Sequence, residues 1–432
     1  MKGNLKVTSA LGSAIALALA TASTSVLAAG FQVGEHSATG LGRANAGEGA
    51  IADTALVLTK NPAAMTMFDK TTVSSQLAFI APDVNTEYED SNGVAQTEED
   101  YAPNQFVPSF AAIMPLNDKV SIGFAMFSNY GTGTEVSDEF AYGDIGGTTS
   151  IITVDSSFNI AYKINDLLSI GAGYDLVVGQ AEMEKGFDVG PVANTFDMSG
   201  NAIGHGWNVG TLFTINENNR LALTYRSAVD MSFEGDFTGS GAFAPGEAGR
   251  LLPADPSTVT GNVDVTLPAI AELSGYHKVS DVLAVHYSAM WTQWSSLDEL
   301  KATSEGCKSG TNDLLDPFEN GVCFQKDLEY NDSIRYAVGT TAYVSESVTL
   351  RMGYAYDEQA GEAIVVMPDT SRHQISAGVS YAASETVSFD LGSAYIFGDE
   401  VTFTEHSELG GDQEFTSNGS AWLVSAQMNM AF

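Results

Sequence analysis

Basic residues and cysteine are what this chain has least of. Its 432 residues carry 18 Lys and Arg against 54 Asp and Glu. The first 28 residues hold two of the Lys and none of the acids, so the remainder carries 16 − 54 = −38. A chain this acidic has no basic footprint for a phosphate backbone, which excludes nucleic-acid binding. Acidic loops suit a surface facing salt water or loosely held divalent cations, but they define no site. The only cysteines are Cys307 and Cys323. With no His beside them a metal site is not expected. In an exported chain they are expected to form one disulfide, worth roughly 3 kcal/mol on the chain-entropy estimate. The six His, at 36, 205, 277, 286, 373 and 406, fit no triad or metal spacing. No nucleophile motif is present, so neither an enzyme nor a cofactor is expected. Gly40-Leu41-Gly42 follows no strand and lacks the remaining spacing of a dinucleotide fingerprint.

Long apolar runs are also missing. Leu11 to Ala20 is too short to span a bilayer as a helix. Preceded by Lys2 and Lys6 and followed by the small residues of Val26-Leu27-Ala28, it reads as a secretory signal peptide over residues 1–28, with Ala29 as the new N-terminus. No later stretch is long enough for a transmembrane helix. If the chain lives in a membrane it must do so as a closed barrel, because only helices and barrels satisfy every backbone group in lipid.

What the chain does have is alternation. At the C-terminus Trp422, Val424, Ala426, Met428, Met430 and Phe432 fall on one face, and Leu423, Ser425, Gln427, Asn429 and Ala431 on the other. One face suits lipid and the other a polar lumen, as in the closing strand of an outer-membrane barrel. Similar segments recur at 71–83, 105–116, 119–129, 149–164, 167–185, 204–216, 219–236, 261–278, 281–297, 325–344, 347–359, 371–383, 386–400 and 416–432. That predicts an all-β protein, a 14-stranded antiparallel transmembrane β-barrel over residues 71–432. Six connections are very short: Asn117-Asp118, Asn165-Asp166, Glu217-Asn218, Val279-Ser280, Ser345-Glu346 and Ser384-Glu385. Longer acidic connections alternate with them, as short periplasmic turns alternate with long outer loops.

The faces can be separated strand by strand. Leu283, Val285, Tyr287, Ala289 and Trp291 are expected outside, and Ala284, His286, Ser288, Met290 and Thr292 inside. Arg226, Arg335, Arg351, Asp357 and Asp390 fall inward, where opposite charges are expected to pair. Residues 29–70 are rich in Gly and Ala and lack strand periodicity. A fourteen-strand bore is wider than wall side chains alone can fill. This segment is therefore expected to form an N-terminal hatch, or plug, inside the lumen; a flexible periplasmic tail is the alternative.

Several short stretches resemble the FadL-type long-chain fatty-acid transporters of Gram-negative outer membranes, which include TodX-like hydrocarbon transporters. They are Ala29-Gly30-Phe31-Gln32, Gly40-Leu-Gly-Arg-Ala44, Gly47-Glu-Gly-Ala-Ile-Ala-Asp53 and Asn61-Pro62-Ala63. Further along come Ser128-Asn129-Tyr130-Gly131, Leu223-Thr-Tyr-Arg-Ser227 and Leu300-Lys-Ala-Thr-Ser304. The resemblance implies a monomer in the outer membrane, plugged by a hatch that carries Asn61, Pro62 and Ala63. It also implies passive uptake of long-chain fatty acids, released sideways into membrane lipid through a kink in the third strand at Ser128, Asn129, Tyr130 and Gly131. Glycines inside a strand agree with a bend there; the alternative is that the third strand ends at this point. Lys185, Lys326 and Phe31 are the implied ligand-binding residues. Alternation turns Lys185 inward on its own account, where a salt bridge would explain it equally well. The same count would turn Lys326 outward unless a bulge intervenes.

Two departures from the family pattern stand out. Lys185 occupies a position that is often Arg, so a forked donor becomes a point charge. The connection at 186–203, part of the implied outer capture groove, is short; Phe237, Phe243, Ala244 and Pro245 are candidate groove residues. Uptake of neutral hydrophobics such as aromatic hydrocarbons, or a surface receptor or adhesin role, are the competing functions.

Overall fold

The computed structural model describes residues 30–189, 192–240, 257–305, 321–407 and 410–432. Twenty-one hydrogen-bonded segments form one antiparallel sheet that closes on itself. They group into fourteen strands. The first is Thr72–Glu89; the second is Ala95–Glu98 with Gln105–Pro115; the third is Val120–Phe127 with Gly131–Glu135. The fourth to sixth are Thr148–Lys163, Leu168–Val189 and Val192–Asn216. The seventh to tenth are each broken once: Asn219–Arg226 with Val229–Ser240, Ser257–Leu267 with Ile270–Ser280, Leu283–Thr292 with Glu299–Thr303, and Val322–Asp327 with Ser333–Tyr343. The last four are Val348–Asp357, Arg372–Ala382, Val387–Gly398 with Val401–Ser407, and Gly411–Ala431. The first and last strands close the barrel, paired from Thr72↔Ala431 to Tyr88↔Phe415.

Alternation sorts the faces as expected. Leu283 and Tyr287 are exposed on the outer face, whereas Ala284, His286, Ser288, Met290 and Thr292 are buried. The short turns are tied by their own side chains. Asn117 Oδ1 accepts from the amides of Lys119 and Val120 at 2.9 and 3.1 Å, and Ser345 Oγ accepts from those of Ser347 and Val348 at 3.3 and 3.0 Å.

The strands run further at the outer end than hydropathy indicates. The first reaches Glu89 rather than 83, and the third resumes after its kink and reaches Glu135 rather than stopping at 129. The expected connection at 186–203 is mostly the tip of a long hairpin, paired from Lys185↔Phe196 to Val189↔Val192. Beyond the lipid belt both faces of a strand meet water or other chain, so the alternation fades while the backbone ladder continues. The Cys307–Cys323 pairing, the segment 1–28 and groove candidates Phe243, Ala244 and Pro245 lie outside the described residues.

Residues 30–70 pack mainly inside the barrel, with Met67, Asp69 and Lys70 exposed. They form a short helix, Ala38–Leu41, and three 3-10 turns, Glu48–Ala50, Ala55–Thr59 and Pro62–Met67. The helix is capped by Ser37, whose hydroxyl accepts from the Gly40 amide at 2.9 Å. The last turn is capped by Asn61, with Pro62 at a position whose missing N–H costs nothing. The small residues are there for fit. A Cβ on wall residue Gly353 would sit 2.1 Å from the Arg43 carbonyl carbon, and one on Gly171 would sit 2.4 Å from the Ala63 nitrogen. Ion pairs hold the segment's own fold, and one of them ties it to the wall. Fully buried Arg43 pairs with Glu48 and, at 2.8 Å, with Asp53, which Arg351 of the eleventh strand also approaches at 3.4 Å.

Candidate functional site: a wall opening and the cavities behind it

The third strand carries one residue too many. Between the pairs Phe127↔Asp155 and Gly131↔Ile152 it advances 131 − 127 = 4 residues while the fourth strand advances 155 − 152 = 3. The surplus is a bulge, which bends a strand and takes residues out of the ladder. Ser128, Asn129 and Tyr130 are each 3% exposed. Other groups satisfy their polar atoms. Asn129 donates to both oxygens of Asp155, at 3.1 Å from Nδ2 and 3.3 Å from its amide. The Thr153 hydroxyl donates to Tyr130 O at 2.6 Å, and the Tyr130 hydroxyl donates to Pro268 O at 2.7 Å.

The interior segment pairs with this bulge like a short extra strand. The Val33 amide donates to Asn129 O at 2.7 Å, and the Gly131 amide donates to Phe31 O at 2.9 Å. His36 Nε2 lies 2.7 Å from Ser128 O. Burial pushes this imidazole well below its usual range, and the cations Lys60 and Arg226 push the same way. His36 is therefore neutral and donates from Nε2.

At the bulge the third strand leaves its pairing with the second. Its ladder with the second strand runs only from Pro115↔Ser121 to Phe110↔Met126. Above that, contact resumes where the Glu135 amide donates to Tyr101 O at 2.8 Å. The interval is an unpaired stretch of wall, the candidate window, with Gln105–Ser109 on one side and the bulge with Gly131–Thr134 on the other. Directly behind it lies a cavity of about 30 Å³, lined by Gly30, Val84, Ala102, Thr132, Tyr330 and Arg372 among others. A second cavity, of about 50 Å³, runs along the interior segment and is more polar, with Gln32, Glu35, Lys60, Glu272, Arg335 and Arg372 in its lining.

An apolar cluster flanks the window. Phe31 stands edge-on to Trp294 at 5.1 Å and to Tyr130 at 5.8 Å between ring centres. Phe237, Met183, Met231 and Leu300 extend the same cluster. Lys185 is buried, and its Nζ donates to the carbonyls of Asp144 and Ile145 at 3.2 and 3.3 Å. Lys326 points inward and forms an ion pair with Glu405; their side chains are 11% and 5% exposed. The irregular residues 328–332 interrupt the tenth strand, and this break supplies the change of face that uninterrupted alternation does not allow. Asn61 Nδ2 donates to Gly49 O and, in the sixth strand, to Thr211 O, at 2.7 and 3.1 Å, fixing Pro62 and Ala63 against the wall. Of the inward charges, Arg226 pairs with Asp175, and Arg335 donates to Gln374 Oε1 at 2.7 Å.

Sequence reasoning missed His36, Trp294 and Arg372. His36 lies in a segment without periodicity, and Trp294 in the 3-10 turn Trp294–Ser296 that interrupts the ninth strand. Arg372, at the start of the twelfth strand, has one visible signal: Asp369 three residues earlier, its partner at 2.6 Å.

The family model of outer membrane protein transport proteins (OMPP1/FadL/TodX) matches residues 19–432. The chain belongs to this family. It is 37% identical over 444 residues to the long-chain fatty acid transport protein of Salmonella typhi, a match covering 97% of this chain and 98% of that one. A Pseudomonas aeruginosa FadL homologue of known structure shares its fold at TM-score 0.79 and 21% identity, over 92% of this chain and 99% of that one. The Pseudomonas putida toluene transporter TodX does so at TM-score 0.70 and 15% identity, over 95% and 100%. With its closed barrel and family membership, the protein is a Gram-negative outer-membrane transport protein.

Proposed function

We propose that this protein takes up long-chain fatty acids passively and releases them sideways into the outer membrane through the window between its second and third strands. The observation that carries the reading is the interrupted ladder above Phe110↔Met126, with a cavity directly behind it. A fatty acid gains roughly 0.8 kcal/mol for each CH₂ removed from water. Passage through an aqueous periplasmic mouth would forfeit that gain for the whole tail, whereas a lateral window leads from one apolar medium to another. In this reading Phe31, Lys185 and Lys326 contact the ligand, and residues 29–70, anchored by Asn61, Pro62 and Ala63, are the hatch that closes the bore.

The acid is favoured over a neutral hydrocarbon by two inward cations, buried Lys185 and half-buried Lys326, beside an apolar cluster. The name of the Salmonella typhi relative supports the same choice. Lys326 would exchange Glu405 for the ligand carboxylate, leaving Glu405 held by the Val365 amide, from which it already accepts at 2.9 Å. Deleting the gene should abolish growth on oleate, and the plasmid-borne gene should restore it. Undiminished growth of the deletion strain would remove the acid as substrate, and growth on toluene in the same pair of strains then tests the hydrocarbon reading.

A further inference from the structure

We infer that Arg372 is a second carboxylate-binding station, placed directly behind the wall window. Three small cavities, of about 50, 30 and 10 Å³, meet around Arg372, the one described residue that lines all three. It is 4% exposed. Nη2 donates to Asp369 Oδ1 at 2.6 Å, but Nε and Nη1 have no acceptor. Asp369 cannot serve them further. Its Oδ1 also accepts from the Gly30 amide at 3.2 Å, and its Oδ2 accepts from the amides of Ala360 and Gly361 at 2.7 and 2.9 Å. A buried guanidinium with donors left over is costly unless something accepts from them, and guanidinium geometry suits a carboxylate.

The other residues around the window-side cavity define the rest of the ligand. Val84, Ala102, Val366 and Met367 are apolar, and Thr132, Gly133 and Thr134 form its side toward the window. A carboxylate on Arg372 would therefore leave its tail facing the opening. This inference rests on the fatty-acid reading above and adds to it a station between the outer cations Lys185 and Lys326 and the exit.

The test compares uptake of labelled oleate and of methyl oleate by cells carrying the full-length protein or its variants. Arg372→Gln should slow oleate at least about tenfold, the scale of one charge-assisted hydrogen bond, and leave methyl oleate at the wild-type rate. Arg372→Lys, which keeps the charge, should restore most of the oleate rate. Asp369→Asn reports on the ion pair alone. If it reproduces the Arg372→Gln profile, or if acid and ester fall together, Arg372 is a structural clamp and the inference is wrong. A wild-type oleate rate in Arg372→Gln overturns it equally. If Arg372→Gln does not fold, wild-type crystals soaked with 2-bromohexadecanoate decide the matter. Bromine beside Arg372 supports the station, and bromine elsewhere only removes it. Absence of oleate uptake by the wild-type protein would instead sink the underlying reading, and the station with it.

Discussion

Lys185 shows how much of the site rests on single buried charges. Its ammonium is held by two backbone carbonyls at 3.2 and 3.3 Å. A ligand carboxylate would add a charge-assisted bond in a dry setting, worth about 1.5–3 kcal/mol. Lys185→Ala should therefore weaken binding of a fatty acid about tenfold or more, while a neutral hydrocarbon of equal length loses little. Titration of the purified protein with both ligands checks this, and equal losses would make Lys185 a structural cap for the loop at 144–145. Arg372 makes the complementary point. A lone Arg at a strand start carries no periodic signal, and its significance comes from cavities that only the folded barrel creates.

At the scale of elements, the interior segment is fitted to the wall by missing side chains. Gly353 and Gly171 lie so close to Arg43 and Ala63 that no Cβ can be accommodated without movement. Gly353→Ala should preserve the barrel, which is held by its ladder, yet unseat the helix Ala38–Leu41 at a cost of about 1–3 kcal/mol from overpacking. Faster entry of small sugars into proteoliposomes, with heat-modifiable migration unchanged, is the expected result. Wild-type permeability would show that the wall yields instead.

This is also the scale at which the sequence was most legible. Period-two alternation located all fourteen strands, because lipid outside and polar lumen inside leave opposite demands on neighbouring residues. It understated their outer ends, such as Gly186–Val189 and Val192–Ile203, where the backbone ladder continues past the apolar alternation. The glycines of Ser128-Asn129-Tyr130-Gly131 and beyond marked the bend. The arrangement of Phe31, Val33 and His36 against it was not legible, since those contacts join residues nearly a hundred positions apart in a segment without period.

For the molecule as a whole, the charge distribution follows from the barrel. Arg43, Lys60, Lys185, Arg226, Lys326, Arg335, Arg351 and Arg372 all lie in the interior segment or on the inner wall. Few cations remain for the outside of a chain with 54 acids. Such a surface repels its own copies. The protein should run as a monomer in detergent, shifting in apparent mass on boiling; light scattering that gives a stable oligomer would contradict this.

The central claim is the lateral exit, and the bulge offers a direct way to close it. Deleting Asn129 removes the one surplus residue between Phe127 and Gly131 and lets the third strand pair continuously with its neighbours. The measurement is uptake of labelled oleate by cells carrying this deletion, with heat-modifiable migration confirming the barrel. The expected result is a folded protein that binds oleate and does not deliver it. Delivery at the wild-type rate through the closed wall would contradict the lateral route and direct the fatty acid through the hatch.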